Sequence, residues 1–255
     1  MMELELKGKR VVITGASKGI GFACAEAFAA EGCDVVIAAR TPDNAAATLR
    51  ARFQVRVEAV TVDLSKPEDR TRLHSLTAEA DILVNNAGAI PSGGIADVSM
   101  ERWMEAWNLK VFGYFHLTQL FLASMRARKS GVVVNIIGMA GRAWKPGYIA
   151  GTAGNAALIA FTSAVGFDAQ KDGVRVFGIN PAVTRTERME TQARQRAEVA
   201  LGDPNRWPEM VTGLPYDRPI EPREIAEMAV FGASARAGYL NGTVIDIDGA
   251  GQFKG

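Results

Sequence analysis

The chain of 255 residues is poor in the side chains that build covalent or metal frameworks, with two cysteines, Cys24 and Cys33, and two histidines, His74 and His116. Two thiols exclude a disulfide scaffold or a thiolate metal cluster. Neither histidine has a partner at ligand spacing, so no metal site is expected. An excess of charge of one sign is also lacking, since 29 basic residues face 28 acidic ones for a net charge of +1. Such a balance gives no long-range field for a phosphate backbone, and nucleic acid is excluded as the expected partner. No apolar run reads as the roughly 18–20 residues of a membrane span. The first ten positions alternate charge where a secretion signal carries an apolar core. The expectation is a reduced, cytoplasmic protein without membrane contact.

What is present is a core-forming composition, 48% apolar. Short β-branched runs at 10–14, 34–39, 55–61, 82–85, 132–137, 174–179 and 244–247 predict strands. Several are apolar nearly throughout, as strands covered on both faces are. Between them, 20–31, 42–52, 67–77, 100–126, 153–171 and 222–233 predict helices, with Ser65 and Glu68 spaced as a capping box before the third. The alternation predicts an α/β fold: a Rossmann-like, doubly wound, parallel seven-stranded sheet with helices on both faces. No repeat or linker divides it, so residues 1–255 read as a single dinucleotide-binding domain. The Arg- and Pro-containing stretch at about 186–219 contains no strand pattern and reads as a substrate-loop insertion over the ligand crevice.

Directly after the first strand comes Thr14-Gly15-Ala16-Ser17-Lys18-Gly19-Ile20-Gly21, opening the first helix. Glycines let the backbone turn tightly and approach a pyrophosphate, and the free N–H groups of the helix start face the anion. Gly15, Ser17, Lys18, Gly19, Ile20 and Gly21 are therefore candidate cofactor contacts. The second strand ends in Ala39-Arg40. A carboxylate there would hold the ribose 2′-hydroxyl of NAD, whereas an arginine suits the 2′-phosphate of NADP. Arg40 and Lys18 thus favour NADP(H) over NAD(H), with Asp43 as the alternative partner for Arg40.

With Val62-Asp63-Leu64, Asn85-Asn86-Ala87-Gly88, Asn108, Asn180-Pro181 and Asp248-Gly249 in the same order, the whole chain resembles the short-chain dehydrogenase/reductase family. The resemblance implies that Asp63, beside Leu64, meets the adenine, that Asn86, Ala87 and Gly88 line the adenosine ribose, and that Pro181 and Thr186 serve the nicotinamide end. Ala182 stands where the family commonly has glycine, narrowing that pocket. The resemblance also implies a homo-oligomer, a dimer or tetramer, built on the long helix, where Trp103, Trp107, Phe112, Phe115 and Leu120 follow helical spacing.

The family's chemistry uses Ser, Tyr and Lys with an Asn completing the proton relay, and here the resemblance breaks. Alignment through Asn155-Ala156-Ala157-Leu158 places Gly138, Gly151 and Asn155 at the first three positions, and only Asn108 of the set remains. Tyr148, three residues before Gly151, is the candidate replacement acid, with Lys145 as a source of charge. Asn155 keeps an amide that could hold the nicotinamide ribose. Arg142, Lys145, Arg185 and Arg188 fall near the crevice and suggest an anionic small-molecule substrate. The resulting expectation is an atypical NADP(H)-dependent oxidoreductase with a non-standard proton donor. The alternative is a catalytically degenerate cofactor-binding pseudoenzyme acting as a redox-responsive partner; a lyase or isomerase has no constellation of its own.

Overall fold

The computed structural model describes residues 3–253. Seven strands, β1 (Arg10–Thr14), β2 (Asp34–Ala39), β3 (Val57–Thr61), β4 (Ile82–Asn85), β5 (Gly131–Ile136), β6 (Val174–Pro181) and β7 (Val244–Ile247), form one parallel sheet in the order β3-β2-β1-β4-β5-β6-β7. Successive residues of a strand point to opposite faces. Val11, Ile13, Val35 and Ile37 accordingly enter one core with Cys24, Phe28, Ile225 and Ala229. Val12 and Val36 enter the other with Leu73, Leu83, Leu117, Phe121 and Val133. Both cysteines are buried and free, and burial pushes both thiols up to about 12, which leaves them inert near neutral pH.

The helices are α1 (Gly19–Ala30), α2 (Asp43–Arg52), α3 (Pro67–Thr77), α4 (Met100–Arg128), α5 (Ile149–Ala169), α6 (Glu187–Leu201) and α7 (Pro222–Ala233). The strand order reverses between β1 and β4, and a ligand crevice opens beyond the strand ends at such a switch point. Across the neighbouring strands runs a buried ladder of hydrogen bonds. The Asn85 amide donates to Thr118 Oγ1 of α4 at 3.1 Å and to Asn135 Oδ1 at 2.9 Å, and the Asn135 amide donates to Thr162 Oγ1 of α5 at 3.0 Å.

Three expectations need correction. The capping box at Ser65 and Glu68 does not form: Ser65 Oγ donates instead to Asp63 Oδ1 at 2.7 Å, and the N-cap is Lys66, whose side chain caps nothing. The stretch 186–219 is no part of these three: it holds α6 and 3-10 turns at Pro204–Val211 and Pro215–Asp217, with Thr186 capping α6 through the Met189 N–H and Gly202 ending it with φ 70°. Helix α5 starts at Ile149 rather than 153, which makes Tyr148 its N-cap. With the turn that follows it, this helix is the one among the described residues long and apolar enough by composition to cross a membrane, with mean hydropathy 1.3, where the sequence reading found no such run. It packs on β6 and α4, with Leu158, Thr162 and Ala169 buried.

Arg175 ties the C-terminal end of α7 to β6. Its guanidinium donates to the carbonyls of Gly232, Ala233, Ser234, Ala237 and Leu240 at 2.7–3.3 Å. These are helix-end and turn carbonyls with few other donors. Arg175→Met, which keeps the stem and removes the donors, is expected to lower the unfolding free energy by about 3 kcal/mol. Urea denaturation reads this as a lower midpoint at unchanged slope.

Candidate active site

The turn after β1 is built for close approach. Gly15 and Gly19 have φ of 65° and 60°. A Cβ on Gly21 would lie 2.4 Å from Asn86 Nδ2 and 2.5 Å from the Gly15 carbonyl. Asn86 braces this turn: its amide donates to the Thr14 and Gly15 carbonyls at 2.9 and 3.2 Å, while its backbone N–H and that of Ala87 donate to Thr14 Oγ1. Lys18, the N-cap of α1, provides no side-chain cap, so the first N–H groups of the helix are left to a ligand. Ser17 and Ile20 are half-buried beside them.

Arg40 is exposed at the end of β2 and has no hydrogen bond or ion pair among the described residues, so Asp43 is not its partner. Asp63 accepts from the Ser65 hydroxyl and backbone N–H, and those bonds hold its carboxyl below the ordinary range. The Leu64 carbonyl is taken by Arg70 at 2.7 Å.

The segment after β6 folds down over this groove. Thr186 Cγ2 would be 3.4 Å from a Cβ on Gly19, Lys18 Nζ pairs with Glu187 Oε2 at 2.7 Å, and Arg188 donates to the carbonyls of Gly88 and Ile90 at 2.8 and 2.9 Å. The Thr186 hydroxyl caps α6, and its methyl faces the glycine turn. Pro181 ends β6 beside Ala182, whose N–H donates to the Ile247 carbonyl.

Gly138 and Asn155 meet at the floor of the crevice. Gly138 has φ 143°, a region that disfavours any side chain, and its Cβ would be 3.0 Å from Asn155 Nδ2. Asn155 Oδ1 is buried without a hydrogen-bond partner. A buried acceptor of this kind costs free energy unless a ligand supplies a donor, and a ribose hydroxyl is such a donor. The glycine turn, the uncapped helix start and this orphaned oxygen together fit a dinucleotide.

One turn before Asn155, Gly151 leaves room for Tyr148. A Cβ there would lie 2.0 Å from Tyr148 Cε1 and 2.2 Å from Cζ, so the phenol ring folds back over Gly151. Trp103 and Tyr148 pack on Ile90, Ala106 and Ala150, and Trp107 Nε1 donates to the Ala150 carbonyl at 2.9 Å. Burial raises the Tyr148 phenol above its ordinary value, and the nearby Arg188 works against that rise. The charge acting on Tyr148 is thus Arg188 rather than Lys145, whose backbone carbonyl accepts from the Tyr148 N–H.

Asn108 does not join this group. Its amide donates to the Ser65 carbonyl at 2.5 Å and its Oδ1 accepts from Arg70 at 2.9 Å, binding α4 to α3. The α4 side chain that reaches the floor is Lys110, with Nζ donating to the Ile137 carbonyl at 2.6 Å. Helical spacing carried the signal, because Lys110 shares the buried stripe of Ala106, Gly113, Tyr114 and Leu117.

A cavity of about 370 Å³ continues from the floor, lined by Met139, Lys145, Ala182, Leu214, Arg218 and Asp248 among others. Of the cations expected to draw an anion, Arg142 pairs with Asp246, Arg185 with Glu221, and Arg188 is bound to backbone carbonyls. Lys145 remains on the cavity wall. Among the described residues no group of His, Cys, Asp and Glu could hold a metal ion.

Residues 9–197 match the family model described as short chain dehydrogenase. The chain belongs to that family. Its short-chain dehydrogenase relatives include "Oxidoreductase UcpA" of Escherichia coli (strain K12), 32% identical over 253 residues, covering 96% of this chain and 95% of the relative. The 3-oxoacyl-[acyl-carrier-protein] reductase FabG of Chlamydia trachomatis is 30% identical over 251 residues, with 96% and 97% covered. Among solved short-chain dehydrogenase structures, L-sorbose reductase from Gluconobacter frateurii, complexed with NADPH and L-sorbose, matches with TM-score 0.91 and 33% identity over 99% of this chain and 100% of that one. The protein is an oxidoreductase of the short-chain type, and the pseudoenzyme alternative is not favoured by these relatives.

Proposed function

We propose that this oxidoreductase reduces the carbonyl of a small molecule with NADPH, Tyr148 delivering the proton. The observation that carries the reading is the seat of the Tyr148 ring over Gly151, one helical turn before Asn155. The dinucleotide supplies the hydride when bound. Gly15, Gly19, Gly21 and the uncapped start of α1 receive its pyrophosphate, Asn86 holds the turn in shape, and Asp63, Ala87, Gly88, Pro181 and Thr186 border its length. Asn155 Oδ1 accepts from a ribose hydroxyl. Gly138 leaves the substrate carbonyl room where a serine side chain would stand. Tyr148 then donates its phenolic proton to the developing alkoxide, since a positioned acid lowers the barrier where negative charge appears.

The cavity is large enough for a small substrate, and an anionic group on it would face Lys145. The half-exposed Phe112, with Trp107, Phe115 and Phe161 in a run of ring contacts on α4 and α5, suits a homo-oligomer contact. A cytoplasmic setting is part of the same reading. The test is transfer of labelled hydride from NADPH to a panel of ketones, ketoses and oxoacids, with transfer to at least one class expected. Absence of transfer across the panel counts against the reading.

Arg40 supports NADPH as the donor, because its guanidinium is unpaired at the strand end where a 2′-phosphate is received. Arg40→Glu is expected to reduce the ratio of NADPH to NADH affinity by about tenfold or more, a charge-assisted hydrogen bond being worth roughly 1.5–3 kcal/mol. Calorimetric titration with both dinucleotides measures the ratio; an unchanged ratio removes Arg40 from the phosphate site.

A further inference from the structure

We propose that the cavity beside Gly138 receives a carbonyl acid with a hydrocarbon skeleton, the chain lying on Val183 and Leu214 and the carboxylate on Lys145. The proposal rests on the reading of this site as a carbonyl reductase and names the substrate class within it.

One loop joins the cavity to the reacting groups. Met139 follows Gly138, and its carbonyl accepts from the N–H groups of Arg142 and Ala143 at 2.9 and 2.8 Å. The loop runs on to Tyr148, whose N–H donates to the Lys145 carbonyl at 3.0 Å. Met139, Ala143 and Lys145 thus line the cavity from a segment that starts at Gly138 and ends at Tyr148. Thr152 of α5 fixes Lys145 in that segment, its hydroxyl lying 3.3 Å from both the backbone nitrogen and the carbonyl oxygen of Lys145.

The opposite wall is apolar. Val183 and Ile247 come from the ends of β6 and β7, Leu214 and Pro215 from the turns after α6. All four line the cavity and are only half-buried. A hydrocarbon chain would cover their exposed sides and take its own surface out of water. The turn that carries this wall is held in a costly shape, with Tyr216 at φ 55° and Asp217 at φ 52°. Side-chain-bearing residues persist in such backbone where packing around them dictates it, and they recur at ligand clamps. Here the packing comes from Gly249 and Gly251, where added Cβ atoms would lie 2.7 Å from Pro215 Cβ and 3.1 Å from Pro215 Cγ.

The charges on the wall decide the polar end of the ligand. Arg218 and Glu224 form a two-pronged pair at 2.7 Å, and Glu224 also accepts from the Glu221 N–H. Asp248 accepts from the backbone N–H groups of Ala250 and Gln252 at 3.0 and 3.1 Å, and the Gln252 amide donates to Asp246. The Lys145 amine has no hydrogen bond or ion pair among the described residues. One free cation beside an apolar wall matches a single carboxylate on a hydrocarbon chain. A ketose matches it poorly. Each hydroxyl buried against Val183, Leu214 and Ile247 lacks a partner there, at about tenfold in affinity apiece.

The experiment measures kcat/KM with NADPH for straight-chain 2-oxoacids and 4-oxoacids from pentanoate to decanoate, for their amides and for a set of ketoses. In parallel, calorimetry titrates octanoate, octanamide and sorbitol into the NADP+-loaded protein. The variants are Lys145→Met, Lys145→Arg and Leu214→Asn. Lys145 is exposed, so its replacement leaves the packing intact.

The expected result is kcat/KM that rises about two- to fourfold per methylene until the cavity is filled, with the acids preferred to ketoses by on the order of a hundredfold. Lys145→Met lowers the ratio of acid to amide by about three- to tenfold, the range for a partly exposed charge pair. Lys145→Arg restores that ratio, and added salt weakens acid turnover in wild type but not in Lys145→Met. Leu214→Asn flattens the dependence on chain length. Preference for ketoses, kcat/KM indifferent to chain length, or an acid-to-amide ratio unchanged in Lys145→Met overturns this proposal alone. No hydride transfer, with octanoate binding that weakens in Lys145→Met, overturns the reductase reading and leaves the ligand class standing. No transfer, with octanoate bound no better than sorbitol, overturns both.

Discussion

Tyr148→Phe is expected to lower kcat for carbonyl reduction by about 10²–10⁴-fold, the range lost with a positioned general acid, while leaving NADPH affinity within about twofold. The substitution removes one oxygen and keeps the ring, so packing against Ile90, Ala106 and Ala150 survives. Stability should be close to wild type for the same reason. Stopped-flow single turnovers separate the chemical step from product release and therefore read the loss directly. A variant that keeps wild-type single-turnover rates would remove the phenol from the reaction and leave water or the substrate itself as the proton source.

Gly151→Ala is expected to produce nearly as large a loss by a different route. The added methyl carbon would sit 2.0 Å from Tyr148 Cε1, 2.2 Å from Cζ and 2.5 Å from Cδ1. No real contact is that short, so the ring must leave its seat. A displacement of about an ångström in a reacting group costs on the order of 10² in rate, and overpacking adds about 1–3 kcal/mol of destabilisation. Because both substitutions act on one group, Tyr148→Phe/Gly151→Ala should be little slower than the slower single variant. Thermal unfolding and NADPH titration establish that the alanine variant remains folded and competent to bind. Full activity in that variant would mean that the ring works from some other position.

Most of the frame was legible from residue pattern. Apolar runs such as Val132–Ile136 could only be strands covered on both sides, and the glycine turn between β1 and α1 announced its use because few other roles require that backbone. Gly138, Gly151 and Asn155 read as departures from the resemblance, and the structure places Gly138 just after β5 and the other two on α5. What escaped was set by side-chain direction. Asn108 and Lys110 are two positions apart on α4, and about 200° of helix rotation separates them. Attention to the buried stripe of Ala106, Tyr114 and Leu117 would have favoured Lys110 over Asn108. The fold-back of Tyr148 depends on a rotamer and on the early start of α5, neither of which periodicity can express. Ion pairing was equally invisible: Arg142 and Arg185 look available in one dimension, yet each finds a carboxylate more than thirty positions away.

The amide and hydroxyl ladder through Asn85 and Asn135 has a mechanical consequence. It bolts α4, which carries Lys110, and α5, which carries Tyr148 and Asn155, to the same two central strands. The two helices that wall the crevice are thereby mounted on one rigid chassis.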